Sequence, residues 1–132
     1  VNIASLAGLV PGTAGHTLYG ATKSYLIRFS QSLAQETLAR GVHVLALCPG
    51  FTYSEFHDVN GMRATVSKMP RFMWMDATRV AAEAYLASER GRLILVPGRW
   101  NRFVAGLVKL LPERVALALA RRQAHKFRNA SH

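Results

Sequence analysis

The sequence is poor in cysteine, in acidic residues and in long apolar runs. Its single cysteine, Cys48, cannot close an internal disulfide, which fits a reducing cytoplasm and excludes a disulfide-stapled scaffold. His57 and Asp58 have no second pair at ligand spacing, so no metal site is expected. The amino terminus lacks a charged stretch followed by a long apolar core, the pattern of a signal peptide. The nearest approach to a membrane span, residues 103–111, is interrupted by Lys109 and followed by Pro112, Glu113 and Arg114, too short to cross a bilayer as a helix. No internal repeat or low-complexity segment is present.

What is there is a chain of 132 residues, 50% hydrophobic, the size of one domain. Its charge is uneven. Residues 1–89 carry seven Lys/Arg against six Asp/Glu, whereas residues 90–132 carry ten against one. The basic character therefore belongs to the tail. No zinc spacing, helix-turn-helix pattern or aromatic-interleaved basic strand accompanies it, so nucleic acid is not the expected partner. The favoured reading is that its apolar residues pack on the domain or on a neighbouring subunit of a homo-oligomer while its cations form a solvated face; if it has a further partner, an anionic membrane surface suits it better than nucleic acid.

Along the chain, elements alternate. Residues 1–5 read as the end of a strand, and the breakers Gly8, Pro11, Gly12 and Gly15 mark a loop. From His16 to Arg40 the apolar positions Tyr19, Leu26, Phe29, Leu33 and Leu38 recur at helical intervals, with Gly41 as the stop. Residues 42–47 form a short aliphatic run, a buried strand. Residues 51–75, with Phe51, Phe56, Met62, Met69, Phe72, Met73 and Trp74, read as a loop with short helical pieces. Asp76 is a good N-cap for a helix over 76–89. Residues 92–96 form the last strand, ended by Pro97-Gly98, and 99–132 a basic amphipathic helical tail with Pro112 at the first turn of its final helix. Strand, helix, strand, helix, strand implies an α/β fold with parallel pairing and crossovers; antiparallel pairing of 42–47 with 92–96 would contradict it.

Tyr19 and Lys23 are separated by Gly-Ala-Thr near the start of the long helix. Side chains at i and i+4 share a helix face, and a cation beside a phenol favours the ionised form, bringing it into range for proton exchange. Ser5, fourteen residues before Tyr19, ends an apolar stretch and can offer a hydroxyl to the same oxygen. Such a trio would bind a carbonyl or alcohol oxygen and move one proton. A Ser5–His16 hydrolase pair is poorly supported, because neither an acidic orienting partner nor a nucleophile elbow accompanies it.

Val-Asn-Ile-Ala-Ser-Leu-Ala-Gly (1–8), Leu-Tyr-Gly-Ala-Thr-Lys (18–23) and Val-His-Val-Leu-Ala-Leu-Cys-Pro-Gly (42–50) resemble, in order and spacing, the second half of the short-chain dehydrogenase/reductase family. The resemblance is dense over about residues 1–55 and looser to about 98. It implies the second half of a doubly wound, Rossmann-like parallel sheet over 1–98, with 51–75 as a substrate cap. It also implies an NAD- or NADP-dependent oxidoreductase acting on a carbonyl or alcohol. In that reading Tyr19 is the general acid or base. Lys23 supports Tyr19 and bonds the nicotinamide ribose, and Ser5 holds the substrate oxygen. Pro49 and Gly50 make the turn beside the nicotinamide, with Gly50 supplying backbone freedom. Thr52 and Ser54 are hydroxyl candidates for the coenzyme, although the family often has threonine at the position of Ser54.

The chain also lacks much of what the family carries: no Gly-rich phosphate loop, no acidic residue after one to hold a ribose, no Asn-Ala-Gly segment and no helix bearing the family's catalytic asparagine. The expectation is therefore the carboxyl-terminal half of a longer enzyme, with NAD and NADP not distinguished. The alternative is an inactive truncated product that only binds a partner or a membrane. The apolar residues of 51–75 lean towards a lipophilic substrate.

Overall fold

The computed structural model describes residues 1–50, 52–53 and 74–128, and for 53 and 123–128 the backbone alone. Ser54 and most of the 51–75 segment lie outside them. The elements are β1 (Asn2–Ile3), α1 (Thr17–Thr37), β2 (Ala46–Leu47), β3 (Thr52–Tyr53), β4 (Met75–Asp76), α2 (Ala77–Glu89), β5 (Ile94–Leu95), α3 (Arg99–Leu110) and α4 (Glu113–Arg128).

The sheet runs β1-β2-β5 and both pairings are parallel, with Asn2, Ala46 and Ile94 in register and Ile3, Leu47 and Leu95 beside them. The pairing expected of 42–47 with 92–96 is thus the parallel one. The laddered portions are shorter than the apolar runs. Val42 stays 49% exposed, held to the end of α1 by its N–H to the Thr37 carbonyl at 3.4 Å, and burial becomes continuous from Val44 to Cys48.

Alternation along β2 divides the core in two. Leu45 and Leu47 face α2 and pack with Val80, Ala84, Ala87 and Leu95. Ala46 and Cys48 face the other way and pack with Ala4 and Ile27 of the α1 side. Helices on opposite faces of a parallel sheet make this a doubly wound α/β arrangement.

Helix α1 ends where the sequence places its stop. A 3-10 turn (Leu38–Arg40) follows it, and Gly41 closes that turn at φ 70°, a left-handed conformation that glycine adopts without a Cβ penalty. The buried face of α1 is Ile27, Ser30 and Ala34, whereas Tyr19, Phe29 and Leu38 of the expected apolar stripe are 42%, 45% and 68% exposed. Ser30 is tolerated in that core because its hydroxyl donates to the Leu26 carbonyl at 2.7 Å and accepts from Asn2 Nδ2 at 3.0 Å. Asp76 caps α2 as expected, accepting from the Arg79 N–H at 3.1 Å. The pairing of β3 with β4, Thr52 opposite Met75, differs from the helix-and-loop reading of 51–75 at its two ends.

Candidate active site

Because Ile3, Leu47 and Leu95 are in register, Ser5, Pro49 and Pro97 leave the sheet at the same level, two residues on. Each proline lacks an N–H and cannot extend the ladder. The three exits are tied sideways instead. The Leu6 N–H donates to the Pro49 carbonyl at 2.9 Å, and Asn101 Nδ2 donates to the Pro97 carbonyl at 2.9 Å. Asn101 is 5% exposed, and a Cβ placed on Gly50 would fall 2.6 Å from its side chain.

That contact corrects the reason for Gly50. Positive φ occurs at Gly15, Gly41, Gly91 and Gly98 and not at Gly50, so the position demands the absence of a side chain, not an unusual backbone. Sequence reasoning also missed Asn101, which lies in a run of arginine and aromatic residues without a motif around it. The available signal was a small amide three residues after a Pro-Gly turn.

Ser5 is 9% exposed, and its Oγ accepts from the Ala7 N–H at 3.1 Å, capping the 3-10 turn Leu6–Gly8. The turn then closes on α1. A Cβ on Gly8 would meet the backbone of Lys23 and Ser24 at 2.7 and 2.8 Å and Ile27 Cδ1 at 2.9 Å, so only glycine lets Ser5 approach the turn of the helix that carries Lys23. Tyr19 lies in the first turns of α1. The Lys23 ammonium sits 5.8 Å from the centre of its ring and donates to the Ile3 carbonyl at 2.9 Å. Cation–ring attraction and one hydrogen bond thus hold Lys23 between the helix and the end of β1.

Among the described residues, then, the structure brings Ser5, Lys23 and Tyr19 to the exit of β1 and ties that exit to Pro49-Gly50. No hydrogen bond joins Ser5 to Tyr19. The Thr52 hydroxyl, just past Gly50, donates to the Gly50 carbonyl at 3.4 Å. His16 is exposed at the N-cap of α1 without a side-chain cap bond, so it belongs to the helix terminus. Beneath the site, burial pushes the Cys48 thiol up to about 11, against a smaller opposite pull from a backbone hydrogen bond with Ser5. At neutral pH it is therefore protonated, a core residue and not a nucleophile.

Residues 1–63 match the family model described as short chain dehydrogenase. The chain is 38% identical over 98 residues to nodulation protein G of Rhizobium sp. (strain N33), covering 71% of this chain and 40% of that protein. It is 34% identical over 98 residues to the 3-oxoacyl-[acyl-carrier-protein] reductase FabG of Vibrio harveyi, with the same coverage. It thus spans about two fifths of the length of these curated relatives. Among solved structures, a short-chain dehydrogenase from Sphingobium yanoikuyae in complex with NADPH aligns with a TM-score of 0.64 and 28% identity, over 85% of this chain and 45% of that one. A short chain dehydrogenase from Burkholderia cenocepacia J2315 in complex with NADP aligns with a TM-score of 0.56 and 30% identity, over 73% and 42%.

Proposed function

The chain belongs to the short-chain dehydrogenase/reductase family, and from that premise we propose that it is the site-bearing part of an NAD- or NADP-dependent oxidoreductase interconverting a carbonyl and an alcohol. The observation that supports this reading is the tie between strand exits: the Leu6 N–H bonds the Pro49 carbonyl beside Ser5, and Lys23, next to the Tyr19 ring, bonds the Ile3 carbonyl of the same exit. A coenzyme along that rim fits the groups present, namely the Lys23 ammonium as donor and the Thr52 hydroxyl, whose own hydrogen goes to the Gly50 carbonyl, as acceptor; Ser54 is a further candidate beyond the described residues. When bound, such a coenzyme exchanges hydride with the substrate carbon.

The chain's own residues handle the oxygen and the proton. Ser5 Oγ donates to the substrate oxygen while still accepting from the Ala7 N–H, and so holds that oxygen beside Tyr19. In reduction Tyr19 Oη gives its proton to the oxygen as the alcohol forms; in oxidation it takes the proton back. Lys23 keeps a positive charge beside the Tyr19 ring and presents its remaining N–H groups to the coenzyme ribose, acting in both binding and proton transfer. The pairing of Thr52 with Met75 makes the chain leave and return at one point beside Gly50. That supports the division into a catalytic unit over 1–98, a substrate cap within 51–75 and a basic tail over 99–132. The aromatic and methionine side chains of the cap segment favour a lipophilic substrate. The exposed Tyr25 and Phe29 of α1 suit a neighbouring subunit in a homo-oligomer, and the tail suits an anionic membrane surface.

The test is Tyr19→Phe in a protein containing this segment, assayed with both reduced coenzymes and a lipophilic ketone. Turnover should fall about 10²–10⁴-fold. A variant keeping a third or more of the turnover would remove the role given to Tyr19, and no turnover by the unsubstituted protein would favour a binding role.

A further inference from the structure

The described cations of residues 90–132 make no ion pair with a described carboxylate; the pair seen among the described residues is Arg79–Glu83 on α2. Three of these cations, Arg92, Arg102 and Lys109, are exposed and line a groove of about 310 Å³ together with the apolar Leu9, Ile94 and Val96. Beside it, α3 turns Trp100, Phe103, Leu107 and Leu110 outward, 45%, 58%, 42% and 85% exposed. Their spacing of three, four and three residues keeps them on one face, away from Asn101 and Ala105, which anchor the helix to the sheet. Arg102 and Lys109, seven residues apart, border that face on the side of the groove.

We infer that this surface docks on an anionic phospholipid bilayer, the groove of Arg92, Arg102 and Lys109 taking a lipid phosphate and the ridge of Phe103, Leu107 and Leu110 entering the acyl boundary. A helix with one apolar face bordered by cations lies in the plane of such an interface. No helix among the described residues is long and apolar enough to cross a membrane, so the association is with the surface. A second copy of the chain is the poorer occupant of this face, because a symmetric contact would bring Arg92, Arg102 and Lys109 against the same three cations. The inference does not depend on the oxidoreductase reading, since vesicle binding and turnover are separate readouts.

The experiment is co-sedimentation of the full chain with phosphatidylcholine vesicles, with and without phosphatidylglycerol, at low and high salt. Binding should require phosphatidylglycerol and be lost at high salt. The triple variant Arg92→Gln, Arg102→Gln, Lys109→Gln should bind about a hundredfold more weakly, about fivefold per cation. Leu110→Gln, at the most exposed position of the ridge, should weaken binding as well, while Tyr25→Ser on α1 should not; circular dichroism verifies that each variant is folded. No binding at low salt, equal binding to neutral vesicles, or full binding by both the triple and the Leu110 variants would overturn the inference. So would a lipid-free oligomer that Leu110→Gln dissolves, which would assign the ridge to a second copy.

Discussion

The strand exits and the tail place apolar residues in opposite ways. Around β2, Leu45, Ala46 and Cys48 are fully buried, while on α3 and α4 Leu110, Leu119 and Val115 are 85%, 48% and 44% exposed. The first region is nearly charge-balanced and the second strongly basic. A sheet covered on both faces must exclude water from each alternate side chain, whereas α3 buries Asn101 and Ala105 and leaves Phe103, Leu107 and Leu110 exposed. The site is therefore built where burial is densest, and the described part of the tail is held by few buried residues, Asn101, Ala105 and Ala116.

The largest effect that can break this comparison is Leu45→Ala. A cavity at a fully buried position facing α2 should cost about 2–5 kcal/mol, read as a fall in the denaturant midpoint. A loss below 1 kcal/mol would mean that the sheet is less tightly covered than described.

Raising the pH gives the next effect. The Cys48 thiol titrates near 11 in the folded chain against 9.0 for the ordinary thiol. The unfolded chain gives up its proton first, so stability is intact below about pH 9 and declines as pH climbs towards 11. With 1.36 kcal/mol per pKa unit the loss amounts to about 2–3 kcal/mol. Equilibrium unfolding at stepped pH, compared with Cys48→Ala, isolates the contribution; identical pH profiles would contradict it.

Gly8→Val sharpens the comparison inside the site. Its Cβ would press on the backbone of α1 at 2.7 Å, an overpacking expected to cost about 1–3 kcal/mol and to push Ser5 away from Tyr19. Leu110→Ala, in contrast, should shift stability by no more than about 0.5 kcal/mol, as exposed substitutions do.

The parts legible in the sequence were those with local causes. Gly41 at the end of α1, Asp76 at the start of α2 and the strand–helix alternation each follow from backbone chemistry within a few residues. Ser5, Tyr19 and Lys23 stand out by spacing and by resemblance, and Pro49 by resemblance alone; the register of β1 and β2 explains why Ser5 and Pro49 leave the sheet together. What was not legible depends on contacts between segments. Periodicity showed that α1 has apolar residues at helical intervals, but not that Ile27, Ser30 and Ala34 would face the sheet while Phe29 and Leu38 stayed outside. The constraint at Gly50 comes from Asn101, about fifty residues on, so its neighbours in sequence point to backbone freedom and not to this contact. Strand lengths were overestimated because an aliphatic run records burial, which extends beyond the laddered pairs.

We propose that Tyr19 moves the proton while Lys23 serves both the phenol and the coenzyme. Coenzyme affinity measured side by side in Tyr19→Phe and Lys23→Met, within a protein that contains this segment, tests it most directly. The prediction is an unchanged dissociation constant for Tyr19→Phe and one raised roughly tenfold or more for Lys23→Met, the scale of one lost charged hydrogen bond. Equal weakening in both variants, or none in Lys23→Met, would contradict it.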